Sequence, residues 1–256
     1  MLTVTTTSLP AVSEQLSRFN RITLAEIGNL QLANRFDSKF LFHRGDLDVL
    51  LRHFSSYTDL LEVNGETLQG YKNLYYDTAD FQLYHAHHNG LRSRYKVRER
   101  TYLSSGDRFL EIKEKNNRNL TLKNRLPLAS DEKYYDFLDD YLPVNFRPLL
   151  PSLRTEYGRI SLLSQNRVER MTIDIGLTLT KPNGDDAIIL EHLGILELKA
   201  ESQSYLPVIA KLKKQLELHQ TPFSKYSIGC ALQYPHLKQN LFKPTLARLR
   251  TSYGTL

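Results

Sequence analysis

Cysteine is almost missing from this chain: Cys230 is the only one in 256 residues. That excludes an intramolecular disulfide and any cysteine-based zinc site, and it fits a reducing, cytoplasmic setting. No apolar run is long enough to span a bilayer, and the opening MLTVTTTSLP has neither a basic segment nor a long apolar core, so a soluble chain is expected. GxxxxGK[ST] is missing, which removes the common nucleotide-binding loop, and no GxSxG elbow supports a serine nucleophile. Without RRM or KH signatures, nucleic acid is not expected as a partner. Repeats and low-complexity tracts are lacking as well.

What the chain does have is charge at particular places. The totals are balanced, 34 bases against 28 acids for a formal net charge of +6, so the excess alone is modest. Between Leu91 and Arg125, however, the runs RSRYKVRER, FLEIKEK and TLKNR alternate charged with apolar residues at a period of two. A strand sends successive side chains to opposite faces, which puts Arg94, Lys96, Arg98 and Arg100 on one face; Glu111, Lys113 and Lys115 share another, as do Thr121, Lys123 and Arg125. Like charges at i and i+2 sit ~7 Å apart, costing roughly 0.6 kcal/mol per pair in water and roughly 2.4 kcal/mol at an effective dielectric near 20. Repeating that cost strand after strand points to an anionic partner.

The rest of the chain reads as a sheet with helices around it. Strands are expected in LANRFDSKFLF, in TDLLEV and GYKNLYYDT, in a three-strand meander from Leu91 to Leu128, and in SLRTEYGRISLLS, RVERMTIDIGLTLT and GILELKA. Leu47, Leu50, Leu51 and Phe54 fall at i, i+3, i+4, i+7 of a helix with Asp46 as its cap. SDEKYYDFLDDYL reads as a helix with acids in its first turn, YLPVIAKLKKQLELH and TPFSKYSIGCAL as two more, and the closing KPTLARLRTSYGTL as loosely held. The length and pattern favour a single domain over 1–256, with a core of about 30–235.

Sorted by face, Leu110, Ile112, Leu120, Leu122, Leu126, Met171, Ile173, Ile175, Leu196 and Leu198 form an apolar set; Glu111, Lys113, Lys123, Arg125, Arg170, Thr172, Asp174, Glu197 and Lys199 are their alternates. An antiparallel sheet with one wet face gives such alternation without any function. The predominance of Arg and Lys over Thr, Ser and Gln argues for an enclosed face instead. The expected fold is α+β: a closed antiparallel β-barrel, or tunnel, of about eight strands with helices packed outside and a basic interior. Guanidinium and ammonium groups there would form charge-assisted bonds to a chain of phosphates, and sparse carboxylates would hold a divalent cation.

In order along the chain, KVRER, FLEIK, TLKNR, RTEYGR, ILELK and FSKY resemble the polyphosphate polymerase domain of the vacuolar transporter chaperone (VTC) family, a branch of the triphosphate tunnel metalloenzymes. The resemblance runs from about Arg35 to Cys230. It implies that Arg98, Arg100, Lys113, Lys123, Arg154 and Arg170 act on phosphates, joined at the phosphate and nucleotide sites by Lys39, Arg125, Lys199 and Lys225. Glu197 would hold the metal, Mn2+ or Mg2+, with Glu111 inferred as a second carboxylate. The implied reaction transfers the γ-phosphoryl of ATP onto a growing inorganic polyphosphate chain, with ATP and polyphosphate as the partners.

Two alternatives keep the tunnel: a tripolyphosphatase or nucleoside triphosphatase, and a polyphosphate-binding module without turnover. Hydrolytic tunnel enzymes begin with ExExK, whereas Arg35, Asp37 and Lys39 stand here, which favours the polymerase branch. The inositol-phosphate-sensing domain and membrane helices of eukaryotic polymerase members are not found in this sequence. His85, His87 and His88 lack a matching ligand cluster and read as a solvated helix end. Tyr75, Tyr76, Tyr134 and Tyr135 read as packing residues.

Overall fold

The computed structural model describes residues 9–27, 36–118, 120–128, 133–200 and 207–253. Residues 1–8, Arg35 in the first strand motif and the acidic run 130–132 before the YYDFLDDY helix lie outside the described residues. The alternating segments become strands β1 (Arg21–Thr23), β2 (Phe36–His43), β3 (Thr58–Glu62), β4 (Gln69–Asp77), β5 (Arg94–Tyr102), β6 (Arg108–Lys115), β7 (Thr121–Pro127), β8 (Leu150–Ser164), β9 (Glu169–Thr180) and β10 (Ile188–Ala200). The helices are α1 (Leu9–Leu16), α2 (Leu24–Ile27), α3 (Leu47–Phe54), α4 (Gln82–His88), α5 (Tyr134–Tyr141), α6 (Pro207–Gln215), α7 (Lys225–Gln233) and α8 (Lys243–Tyr253).

One ten-stranded sheet runs β2-β10-β9-β8-β4-β5-β6-β7, with β3 on β8 and the short β1 parallel to β3. Among the described residues the expected barrel does not close, because β7 forms no ladder with β2. A barrel needs its first and last strands to share ladder hydrogen bonds. Here the outer edge of β2 is already occupied: Gln220 forms a bridge with Phe40, and the Thr221 amide donates to the Lys39 carbonyl at 2.8 Å. The sheet instead curls into an open trough whose two ends face the same hollow.

Three apolar clusters fix the curl. On the convex side the Leu47, Leu50, Leu51 and Phe54 stripe of α3 is buried against Phe40, Phe42, Ile173 and Leu196. Asp46, the expected cap of that helix, makes no side-chain cap bond. Val97, Leu110 and Ile112 pack under Phe137 and Leu138 of α5, whereas Leu120 and Leu122, expected on the same apolar face, are exposed at the sheet edge that β7 forms. The third cluster lies in the concave side, where Leu153, Leu177 and Leu179 meet Tyr226, Ile228 and Leu249. So α7 and α8 plug one end of the trough rather than covering its outside, and Cys230 is buried in that plug.

The approach of α7 depends on Gly229, since a Cβ there would come within 2.5 Å of Leu153 Cδ2 and 3.1 Å of Leu179 Cδ2. The closing segment is not loose over its described part: Leu246, Leu249 and Tyr253 recur at i, i+3 and i+7 and are all buried. Among the described residues no helix is long and apolar enough to cross a membrane. Leu249→Ala is expected to lower unfolding free energy by ~2–5 kcal/mol in a urea titration, as for other buried Leu positions; a loss under ~0.5 kcal/mol would remove α8 from the core.

Candidate functional site

The period of two decides which side chains meet inside the trough. Arg98 and Arg100 of β5 stand opposite Tyr75 and Asn73 of β4, and Arg98 stands opposite Glu111 of β6. Lys113 is flanked by Lys96 and Lys123. On the facing wall Asp174 of β9 pairs in register with Arg159 of β8, while Glu197 and Lys199 of β10 lie beside Lys39 and Asp37 of β2. Apart from Asn73 and Asp174, which stand behind Arg100 and Arg159, these groups line a cavity of about 220 Å3.

Its floor is the start of α7. Ser224 caps that helix by accepting from the Ser227 amide at 3.2 Å, and its hydroxyl also accepts from Lys96 Nζ at 2.9 Å. Lys39 Nζ donates to the Phe223 carbonyl at 3.1 Å. Lys225 is ion-paired with Asp174 and lies 4.3 Å from the centre of the Tyr157 ring. Cations from β2, β5 and α7 are thereby fixed around one hollow.

Nine Lys and Arg side chains against three carboxylates make up the charged lining. Glu111 is 2% exposed and accepts Arg98 Nε at 2.8 Å and Lys123 Nζ at 2.7 Å, with Arg125 Nε at 3.7 Å and Arg100 Nε at 4.0 Å. Burial opposes its charged form, but Arg98, Arg100 and Lys123 outweigh burial and hold the carboxyl down to about 2. Asp174 accepts Arg159 Nε at 2.6 Å and Nη2 at 2.8 Å, a bidentate pair. Its carboxyl lies well below the usual range despite burial, because Arg159 and Lys225 flank it. Both acids act as internal counterions.

Glu197 differs from these two. Its ion-pair partner is Lys199, at a looser 3.4 Å, and although burial works against ionisation, Lys39, Lys199 and Arg159 hold it to about 2. Among the described residues no three His, Cys, Asp or Glu side chains cluster as a protein-built metal cage. Glu197 and Asp37 do line the same cavity on adjacent strands, and one or two carboxylates plus substrate phosphates is the donor set Mg2+ commonly uses. The residues present therefore fit a divalent ion bound jointly with phosphates. Glu111, the other carboxylate expected at the metal, is engaged by cations from β5 and β7 and would have to break those pairs to ligate.

Of the expected phosphate-binding residues, Lys39, Arg98, Arg100, Lys113, Lys123, Lys199 and Lys225 line the cavity. Arg154 does not: it is exposed, in register with Leu74 and Thr180 on the opposite face. Five residues on, Arg159 has the other parity and takes the inward place. Arg170 shares the face of Thr172 and Asp174 but is exposed at the end of β9, outside the lining. Arg125 also lies outside the lining, beside Glu111.

Lys96, Arg159, Asp174 and Tyr157 were not singled out as site residues. The signal for them was the strand parity that placed their neighbours. Tyr75 is buried and lines the cavity, whereas Tyr135 is 74% exposed and packs little. The three histidines of α4 are half-buried rather than solvated, and His87 is stacked 6.0 Å from Phe242. Burial and the nearby Lys96, Arg94 and Lys39 lower His87 to about 3, so it stays neutral.

The crowding of like charges shows in the lysines. Burial, Lys39 and Lys199 lower Lys113 to about 8, only partly opposed by Glu197 and Asp37, and burial with Lys39 and Lys113 lowers Lys96 as well. Above about pH 8 the unfolded chain holds a proton that folded Lys113 has begun to lose, so stability rises with pH until the unfolded lysine titrates. Between about pH 8 and about pH 9.5 the unfolding midpoint in urea is expected to rise for the wild type and to rise less for Lys113→Met. Saturating tripolyphosphate, which returns the proton to Lys113, is expected to flatten the rise. A wild-type midpoint that falls over this interval would contradict the cation crowding.

Among curated proteins none matches the chain. Similar solved structures include HpAC1 from Hippeastrum, described as having a dominant triphosphatase activity (10% identity, 80% of this chain and 98% of that one, TM-score 0.46). PH1819 from Pyrococcus horikoshii OT3 is 12% identical over 77% of this chain and 99% of that one, with a TM-score of 0.43. The S. pombe Pct1 RNA triphosphatase is 12% identical over 94% and 91%, with a TM-score of 0.31. A family model, the VTC domain, matches residues 34–143 and 142–234, from the strand that carries Lys39 to the helix that begins at Lys225. The chain belongs to the VTC domain family.

Proposed function

We propose that the chain is a polyphosphate polymerase that transfers the γ-phosphoryl of ATP onto a growing polyphosphate chain and releases ADP. The observation that carries this reading is the cavity wall, where nine cations from six strands and one helix converge with only three carboxylates among them. A lining so unbalanced is stable only with anions nearby, and a phosphate chain supplies oxygens at every step.

Arg98, Arg100 and Arg159 are held rigid before substrate arrives. Arg98 is fixed by Glu111 and by the Tyr75 hydroxyl at 3.2 Å; Arg100 by Asn73 at 2.9 Å and the Tyr157 hydroxyl at 3.2 Å; Arg159 by Asp174. Their remaining donors are thus aimed without reorganisation when charge shifts during transfer. A terminal polyphosphate oxygen attacks the γ-phosphorus; the bond to the β,γ-bridging oxygen breaks, and its electron pair leaves with ADP. The attacking oxygen is already anionic, so no general base is required.

Glu197, with Asp37 beside it, would hold Mn2+ or Mg2+. Held there, such an ion would supply positive charge to the phosphates. A water nucleophile would need a base, and Glu111 at the wall, like Asp174 behind it, is tied to cations. This favours phosphate over water as the acceptor.

The test is incubation with ATP and Mn2+, reading polymer on a polyphosphate-stained gel and free phosphate in parallel. Polymer is the expected product; phosphate without polymer would establish a hydrolase, and bound polyphosphate with neither product a binding module. Arg159→Ala is expected to lower synthesis at least ~10-fold, the loss of a charge-assisted bond of ~1.5–3 kcal/mol. Arg154→Ala should stay within about 2-fold of wild type, as befits an exposed side chain away from the cavity.

A further inference from the structure

The inward-facing positions of the β5–β7 meander do not end with the cavity. Beyond Arg100 the next such residue on β5 is Tyr102; beyond Glu111 on β6 it is Phe109; beyond Lys123 on β7 it is Arg125. All three lie on the side away from the α7 floor, where Lys96 meets Ser224. Their chemistry changes from isolated cations to a stack.

The guanidinium carbon of Arg125 lies 3.5 Å from the centre of the Phe109 ring, and Nη2 donates to the Tyr102 hydroxyl at 2.9 Å. Tyr102 stands edge-on to Phe109, with ring centres 5.8 Å apart, and packs 5.0 Å from Tyr71. Arg125 is thereby locked as a flat plate on an aromatic ring, yet its side chain remains 38% exposed. A side chain meant only to grip phosphate would not need this plate. Planar guanidinium and aromatic faces are the groups that stack on nucleobases.

We infer that the Arg125–Phe109–Tyr102 stack is the platform for the nucleobase of the donor nucleotide. It sets the direction of entry: the base rests at the open mouth while the triphosphate reaches inward, γ end first, toward Lys123 and Lys113. Lys123 is two residues from Arg125 and Lys113 four from Phe109, about 7 and 13 Å along the strands. The assignment rests on the polymerase reading, because it supposes that a nucleoside triphosphate is the donor.

The experiment compares ATP with tripolyphosphate, which has the same number of phosphates and no base, by calorimetric titration of the full chain. Wild type is expected to bind ATP more tightly than tripolyphosphate. Phe109→Leu, which keeps an apolar side chain, and Arg125→Lys, which keeps the charge, should each weaken ATP roughly 5- to 150-fold, the loss of one stacking contact. Phe109→Leu should leave tripolyphosphate within about 2-fold, and Arg125→Lys should weaken tripolyphosphate less than ATP. Equal weakening of both ligands would mean a merely structural role and overturn the platform; so would unchanged ATP affinity in both variants. Wild type that binds tripolyphosphate but not ATP would overturn the platform and the ATP-dependent polymerase together, while leaving the phosphate-binding wall intact.

Discussion

Two buried carboxylates make the cationic wall possible. Glu111 joins β6 to Arg98 on β5 and Lys123 on β7, and Asp174 joins β9 to Arg159 on β8 and Lys225 on α7. Each therefore links three elements through one charge. Losing one partner of such a buried pair strands the other charge and typically costs ~3–5 kcal/mol. Without these two acids the lining would be a set of mutually repelling groups with no fixed geometry, and burial of the strands beneath it would have to oppose that repulsion alone.

The division of labour among the acids follows from how many cations each meets. Glu111 and Asp174 are saturated, whereas Glu197 meets Lys199 at a looser 3.4 Å and sits where Asp37 adds a second carboxylate to the same cavity. Similar residues thus serve different ends: two hold the wall together, and one lines the cavity with a looser partner. Tyr75 and Tyr157 add hydroxyls that fix guanidinium orientation rather than charge.

Much of this was legible in the sequence because strand parity is local. The meander of β5, β6 and β7 and the inward set Arg98, Arg100, Glu111, Lys113 and Lys123 follow from alternation alone. Parity also separates Arg154 from Arg159, but only once the inward phase of β8 is known, and that phase is set by packing of Leu153, Thr155 and Tyr157 against distant strands. Long-range events were not legible. Nothing near Phe40 announces that Gln220 will take its edge, and nothing in KPTLARLRTSYGTL says which surface its Leu246–Leu249–Tyr253 stripe will meet. Arg125 was readable as inward-facing, but its plate on Phe109 arises from two strands in register.

The unpaired junction between β2 and β7 bears on how the proposed polymer would enter and leave. A sealed ring admits a chain only by threading from a free end, and every added unit must then slide along the bore. Where one short crossing segment at Gln220 and Thr221 replaces ladder hydrogen bonds, topology no longer imposes that route. On the polymerase reading, an extended polyanion would be laid into the groove sideways, in the manner of a rope into a cleat.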